Sequence, residues 1–264
     1  MTPSEWKIVK RLATFVFIVA LFPIGAFVYR FILNPDSADA GSPLAIPALS
    51  TLVPGSNEFT FATPAPTSLV VVVPSGWSEH VVADQNFAIS LPTRWQRLPV
   101  NPQELEASLQ VIRESNPELA AALGTSGQQL IQSGVKFWAF DLDAASLKSK
   151  FATNLTVTRQ TLPNQVSFDA YALVNLNQVN ALSSRQGELT HERIAMANLP
   201  AEKIHYNLLF RAGDGSSVTS AISQYLLLNG NDAYVLTYAT RLDELTKYAA
   251  TFDQSALSFR LLGQ

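Results

Sequence analysis

The sequence predicts an α+β fold in which an antiparallel sheet lies between helices as an α/β/α sandwich. Short runs of alternating or β-branched residues, separated by turn residues, recur from Trp77 onward and are typical of strands. Helix start signals occur before, between and after these runs, which indicates helical layers packed on the sheet. An anchor and a linker precede this domain. The predicted divisions are a cytoplasmic N-terminus, a transmembrane helix, a Pro-rich linker and the folded domain, over residues 1–11, 12–33, 34–76 and 77–264.

The predicted anchor is the run from Leu12 to Leu33, which is apolar apart from Arg30. Its part from Leu12 to Tyr29 contains no charged residue. As a helix this part would span roughly 27 Å, close to the thickness of the hydrocarbon core of a bilayer. The run therefore predicts a single transmembrane helix.

Charged and aromatic residues near the two ends of the run predict its orientation. They are Trp6, Lys7, Lys10 and Arg11 at the start, and Tyr29 and Arg30 near the end. Positive residues remain on the cytoplasmic side of a membrane, and most of these cations precede the run. We therefore expect a bacterial cell-membrane protein whose N-terminus is cytoplasmic and whose C-terminal domain is extracytoplasmic. The aromatic rings and Arg30 can reach the lipid interfaces.

A cleaved secretory signal is the alternative to a retained anchor. Ala38-Asp39-Ala40 resembles the A-x-A pattern that precedes a signal cleavage site. The apolar run is longer than the usual h-region of about 7 to 15 residues, which favours the anchor. Both alternatives place the domain outside the cytoplasm. The sequence contains no cysteine, which excludes disulfides and a lipid-modified N-terminal cysteine.

The segment from Asn34 to Ser75 is rich in proline, with seven of the fifteen prolines of the chain. This composition predicts a semi-extended linker that holds the domain away from the bilayer. Leu69 to Val73 is an exception because LVVVV strongly favours a strand. It is predicted to form an edge strand of the domain or, alternatively, a patch on a partner.

The charge of the chain argues against a nucleic acid as partner. The formal net charge is −3 and no basic cluster is present that could neutralise phosphates. The partners expected are the membrane, crossed once, and a membrane protein that the sequence does not identify.

Strands are predicted wherever β-branched or alternating apolar residues are bounded by turn residues. They cover Glu79–Val82, Phe87–Leu91, Lys136–Leu142, Thr153–Gln160, Glu188–Met196, Glu202–Arg211, Ser217–Leu228, Ala233–Thr240 and a short strand or extended tail at Ser258–Arg260. The segments Gly213–Gly215 and Asn229–Asp232 predict hairpin turns, because both contain residues that accept positive φ at low cost.

Five helix starts are recognisable. Asn101-Pro102-Gln103-Glu104 contains an N-cap, an N1 proline and a capping-box carboxylate, and shorter starts follow at Asn116 and Ser126. Ser167 is predicted to cap a helix that ends near Leu182, and Thr240 to Asp243 reads as a capping box for a final helix. The predicted buried positions of these two helices are Phe168, Tyr171, Ala172, Leu176 and Val179 in the first and Leu242, Leu245, Ala249 and Phe252 in the second.

Several of these residues resemble the PsbP/Mog1/DcrB-like family. They are Phe87-x-Ile89-x-Leu91-Pro92-x-x-Trp95, Tyr234-x-Leu236-x-Tyr238, the helix from Asp243, and Phe252 with Ser258-Phe259-Arg260. The resemblance covers roughly Trp77 to Leu262. It implies an antiparallel sheet between helical layers and mostly non-catalytic roles, among them photosystem subunits, assembly factors and bacterial envelope proteins. A photosystem role is not carried over, because the basic docking segment of those subunits has no match here.

Catalytic, metal-binding and cofactor-binding patterns are absent from the sequence. His80, His191 and His205 fall in different strands without metal-ligand spacing. His205 and Asn207 are predicted to lie on a solvated face of their strand. Asp141 and Asp143 could be paired carboxylates, but a capping or turn role is the better interpretation. We therefore expect no enzyme, cofactor or metal.

The function predicted from these features is a non-catalytic docking module, as an accessory subunit or assembly factor of a membrane complex. The alternative is an envelope sensor or binder of a small apolar ligand or lipid. Such a ligand would occupy a pocket between sheet and helices near Trp95 and Trp138. A polar cleft with converging carboxylates would instead favour catalysis.

Overall fold

The computed structural model describes residues 73–115, 133–141, 152–162, 164–211 and 217–263, together with positions 120, 124, 127 and 131. The predicted transmembrane helix and the linker as far as residue 72 lie outside this part of the chain. Asn116, Asp143 and the turn predicted at Gly213–Gly215 also lie outside it. Across the described ranges, no helix is both long enough and apolar enough to cross a membrane.

The elements whose bounds the described residues give are ten strands and three α-helices, here numbered in chain order. The strands are β1 Trp77–Val82, β2 Phe87–Pro92, β3 Trp95–Leu98, β4 Val135–Asp141, β5 Asn154–Thr161, β6 Arg185–Met196, β7 Leu199–Arg211, β8 Ser217–Asn229, β9 Asp232–Arg241 and β10 Arg260–Leu261. The helices are α1 Pro102–Ser115, α2 Phe168–Asn180 and α3 Leu245–Leu257.

The strands form two antiparallel sheets rather than the single sheet expected from the sequence. The main sheet has seven strands in the order β3-β4-β5-β9-β8-β7-β6, and the small sheet has the order β1-β2-β10. The third strand of the small sheet, β10, returns to the start of the domain, where Arg260 pairs with Ala88 and Leu261 with Phe87. The antiparallel pairing itself is as predicted.

The two faces of the main sheet are covered differently. On one face, here called the α3 face, Leu155 and Leu236 pack with Phe252 of α3 and with Phe87 of the small sheet. On the opposite face, here called the α2 face, Ile204 packs with α2, and side chains of β3 and β4 pack with α1. Side chains alternate between the faces along each strand, so the main sheet contributes to a hydrophobic core on both sides.

Two predicted helix caps are confirmed. The Ala170 amide donates a hydrogen bond to Ser167 Oγ at 3.2 Å at the start of α2. At the start of α1 the Gln103 amide donates to Asn101 Oδ1 at 2.9 Å. Both bonds form within three residues of the cap, so they depend on local sequence alone.

The capping box predicted for the last helix is wrong. Thr240 belongs to β9, and its hydroxyl contacts Thr153 Oγ1 at 2.8 Å in the buried interior. Asp243 instead binds Arg241, and a 3-10 turn over Leu242–Glu244 precedes α3. The Thr240 hydroxyl is therefore hydrogen-bonded to Thr153 and does not cap the helix.

The buried side of α3 also differs from the prediction. Its buried residues are Tyr248, Phe252, Ser255 and Ala256, whereas Leu242 and Ala249 are exposed. Tyr238 donates a hydrogen bond to Ser255 Oγ at 2.8 Å, and Ser255 donates in turn to the Ser90 carbonyl. A serine is thus favoured at the helix–sheet contact because it joins the two sheets.

Candidate functional site

A polar cleft of about 420 Å³ lies on the α3 face of the main sheet, between strands β6 to β8 and helix α3. Leu245 and Ala249 of α3 form its apolar wall. Its polar wall consists of Thr190, His191, Glu192, Lys203, His205, Ser223 and Asp253.

Strand register brings the polar residues together. Glu192 on β6 lies opposite Lys203 on β7, and His205 lies between Thr190 on β6 and Ser223 on β8. Directly opposite residues of antiparallel strands share one face and stand close together. Asp253 reaches the same place from α3, two turns after Leu245.

Lys203 connects the two carboxylates of the cleft. Its Nζ lies 2.8 Å from Asp253 Oδ1 and 3.3 Å from Glu192 Oε1. Burial alone would lower the pKa of Lys203, but the hydrogen bonds and negative charges of Asp253 and Glu192 together raise it. The ammonium therefore stays protonated. The Tyr225 hydroxyl donates a further hydrogen bond to Asp253 Oδ1.

His205 is neutral in the folded protein at neutral pH. Its partial burial and the nearby charge of Lys203 lower its pKa from the ordinary 6.5, and its Nδ1 lies 3.3 Å from Ser223 Oγ. The cleft then holds two carboxylates against one ammonium. This arrangement leaves one negative charge in excess and favours a cationic ligand group.

The lowered pKa of His205 predicts a pH dependence of stability. Below about pH 6.5 the unfolded chain binds a proton at this histidine more readily than the folded chain does, so the free energy of unfolding should decrease as the pH falls. His205→Gln should reduce this decrease. Urea unfolding between about pH 7.5 and 5 measures both slopes, and equal slopes for the two proteins would contradict the assignment.

Of the other two histidines, His191 borders the cleft and His80 lies away from it. The His191 ring, whose strand position alternates to the α2 face, has its Nδ1 2.6 Å from Glu202 Oε1, and Glu202 also accepts a hydrogen bond from Arg193. His80 lies in the small sheet, where its ring contacts Phe137 edge to face. Among the described residues, no group of three or more acidic or histidine side chains is arranged to hold a metal ion.

The two tryptophans proposed to line a pocket lie on opposite faces of the main sheet. Trp95 packs on the α3 face against Phe252, and Trp138 packs on the α2 face with Leu105. Both indoles are buried. They therefore do not line one pocket together.

Asp141 is buried and structural. The Tyr248 hydroxyl donates a hydrogen bond to Asp141 Oδ2 at 2.8 Å, and Arg94 Nη2 lies 3.0 Å from the same oxygen. Asp143 lies beyond the described residues, so for this pair the capping or turn role, with paired carboxylates as its alternative, stays a prediction.

The sequence alone did not indicate Glu192, Lys203, Ser223 and Asp253 as site residues. The one signal present was polar residues at alternating positions of β6 and β7, such as Lys203 and His205. This pattern also describes any solvated strand face, so it does not indicate a site without the register. Asp253 is distant in sequence and joins the others only through the packing of α3.

Solved structures similar to this chain include a cyanobacterial PsbP, CyanoP from Synechocystis. CyanoP is 14% identical in sequence, with a TM-score of 0.42, and the match covers 75% of this chain and 98% of CyanoP. They also include LpqN of Mycobacterium tuberculosis, described as involved in cell envelope biogenesis. LpqN is 9% identical with a TM-score of 0.43 over 67% of this chain and 83% of that one. No family model matches the sequence, and no curated protein matches it.

The similarity is one of fold. The resemblance found in the sequence also implied a PsbP-like fold. The similarity does not extend to function, because one fold supports many unrelated roles. The candidate function therefore has to be argued from the cleft.

Proposed function

We propose that the protein is a single-pass, membrane-anchored docking module, an extracytoplasmic accessory subunit or assembly factor that binds a membrane-protein partner and catalyses no reaction. The polar cleft carries this proposal, because it is negatively charged and bordered by the exposed residues Thr190 and Glu192. Complementary charge of this kind gives protein recognition its specificity.

Two carboxylates, Glu192 and Asp253, do converge in the cleft, but both are paired with Lys203, and this pairing supports binding rather than catalysis. Lys203 is held between two carboxylates, so it is a poor nucleophile or base. Ser223 and His205 are in contact, but the Ser–His–Asp type of triad also needs a carboxylate that holds the histidine. In the described part of the chain, no carboxylate is hydrogen-bonded to His205.

The anchor and linker predicted from the sequence support the membrane part of the proposal. A tether raises the effective concentration of a domain near membrane partners without any new contact. A freely diffusing domain would lose this advantage. The proposal therefore depends on the orientation predicted from Lys7, Lys10 and Arg11.

Protease accessibility tests the orientation. Protease added to intact cells should cleave within residues 34–68 and leave a small membrane-bound fragment, because this part is predicted to be extended and extracytoplasmic. Cleavage is read from an epitope at the N-terminus and a second at the C-terminus. A domain that stays protected in intact cells but is cleaved after lysis would contradict the orientation.

Co-isolation from detergent-solubilised membranes tests the docking function. The full-length chain should recover a stoichiometric membrane-protein partner. Replacement of residues 1–33 by a cleavable signal should reduce that recovery by about 10² to 10⁴-fold at equal expression, which is the usual contribution of a tether. An unrelated transmembrane helix in place of residues 12–33 is the control and should restore it. Failure of the full-length chain to recover any partner would reject the function.

A further inference from the structure

Strand β6 is an edge strand of the main sheet. It is last in the strand order and pairs only with β7 among the described strands. Most of its side chains are exposed. An edge strand presents unpaired backbone N–H and C=O groups, which can accept an added strand.

The second half of β6 is a regular template for pairing. Thr190 to Met196 pairs residue by residue with His205 to Leu199 and contains neither glycine nor proline. The first half is irregular, because the register shifts between Gln186 and Thr190. An added strand is therefore expected along residues 190–196, which adjoin the cleft.

The side chains of this half differ between the two faces. Glu192 points to the α3 face and its side chain is 61% exposed, although it contacts Lys203. Arg193 points to the α2 face, where it binds Asp169 and Glu202 and its guanidinium lies over the Phe168 ring. An added strand would therefore lie beside the exposed carboxylate of Glu192 on the cleft side. On the other side it would lie beside Arg193, which is already paired.

We propose that the outer edge of β6 binds an extended segment of the protein partner, which pairs with residues 190–196 and places a lysine or arginine beside Glu192 at the mouth of the cleft. This inference rests on the proposed docking function and names its surface. Alternate residues of an added strand point to the same face, so one cationic residue in every two can face the cleft. The excess negative charge there selects lysine or arginine over an acidic residue.

Two labelled ten-residue peptides test the charge. One alternates lysine and threonine and the other glutamate and threonine, and each is titrated into the full-length protein in lipid nanodiscs with fluorescence anisotropy as the readout. The lysine peptide should bind at least about fivefold more tightly, as expected for complementary charges at an exposed site. Equal affinities would overturn the proposal.

A matched pair of variants tests the location. Glu192→Lys should weaken binding of the lysine peptide about tenfold, because it replaces attraction by repulsion. Glu106→Lys changes the net charge equally, but its side chain is 65% exposed on α1, which packs on the α2 face, so it should leave binding unchanged. An equal effect of both variants would mean that net charge alone is responsible, and would overturn the proposal.

Backbone methylation tests the pairing. The lysine peptide is N-methylated on alternate amides in two versions, which block opposite edges of the strand without changing its charge. One version should bind as the parent does and the other should lose most of the affinity. Equal binding by both versions would overturn strand addition.

The membrane partner separates this inference from the proposed function. If the partner co-isolates equally with the unmodified chain and with Glu192→Lys, the docking function stands and the β6 surface is rejected. If it co-isolates with the unmodified chain but is lost with Glu192→Lys and retained with Glu106→Lys, the surface is supported. If the unmodified chain recovers no partner, the docking function itself fails.

Discussion

Replacing Phe252 with alanine is expected to lower the free energy of unfolding by about 3–5 kcal/mol, the usual cost of removing a buried phenylalanine. The ring is fully buried and contacts three other rings. Its centroid lies 4.9 Å from Tyr238, 5.9 Å from Tyr248 and 6.4 Å from Trp95. The cavity would open where α3 and the main sheet meet, so these rings could close it only by moving the helix. Urea unfolding monitored by circular dichroism measures the change.

Leu257→Ala is the matched control for this prediction. Leu257 lies on the same helix but is 60% exposed, so its truncation should change the free energy of unfolding by no more than about 0.5 kcal/mol. A comparable loss in both variants would show that α3 contributes through helix propensity rather than through the Phe252 contacts.

Asp141→Ala is expected to destabilise the domain by about 3 kcal/mol, as measured by the same urea unfolding. The residue is 0% exposed, and its carboxylate accepts the Tyr248 hydroxyl and pairs with Arg94. Removing one member of a buried polar network leaves its partners without their hydrogen bonds and opens a cavity. Arg94 is half exposed and can turn to water, which keeps the loss below that of a fully buried ion pair.

Asp169→Ala is the control for the aspartate prediction. Its side chain is 82% exposed and pairs with Arg193 at the surface, so the expected cost is at most about 1 kcal/mol. If Asp141→Ala cost no more than this variant, the buried network would not contribute to stability as described.

The helix starts were predictable because each depends on a few adjacent residues. Ser167 and Asn101 accept hydrogen bonds from amides two or three residues further along. The β8–β9 hairpin was predictable for the same reason, since Asn229 pairs with Asp232 and Gly230 adopts a φ of +59°. A side chain would be strained at that φ, so glycine indicates the turn.

Adjacent residues did not predict that the strands divide into two sheets. They also did not predict how the last helix begins. Thr240 has the residue type of an N-cap, but its hydroxyl bonds Thr153, which is 87 residues earlier in the chain. The third strand of the small sheet depends on the pairing of Arg260 with Ala88, which lies far earlier in the chain. Local propensity carries no information about such pairings, because many registers satisfy the same alternation.

The sequence by itself determined the strand-rich α+β character and the local helix caps, since periodicity and nearest-neighbour hydrogen bonds specify these, and the anchor and linker stay predictions. Only the tertiary structure decided that Glu192, Lys203, His205 and Asp253 form one cleft. Three of these residues meet through the register of β6 and β7, and the fourth comes from α3 nearly fifty residues later. Such a site follows from how distant elements pair and pack, which depends on burial over the whole domain.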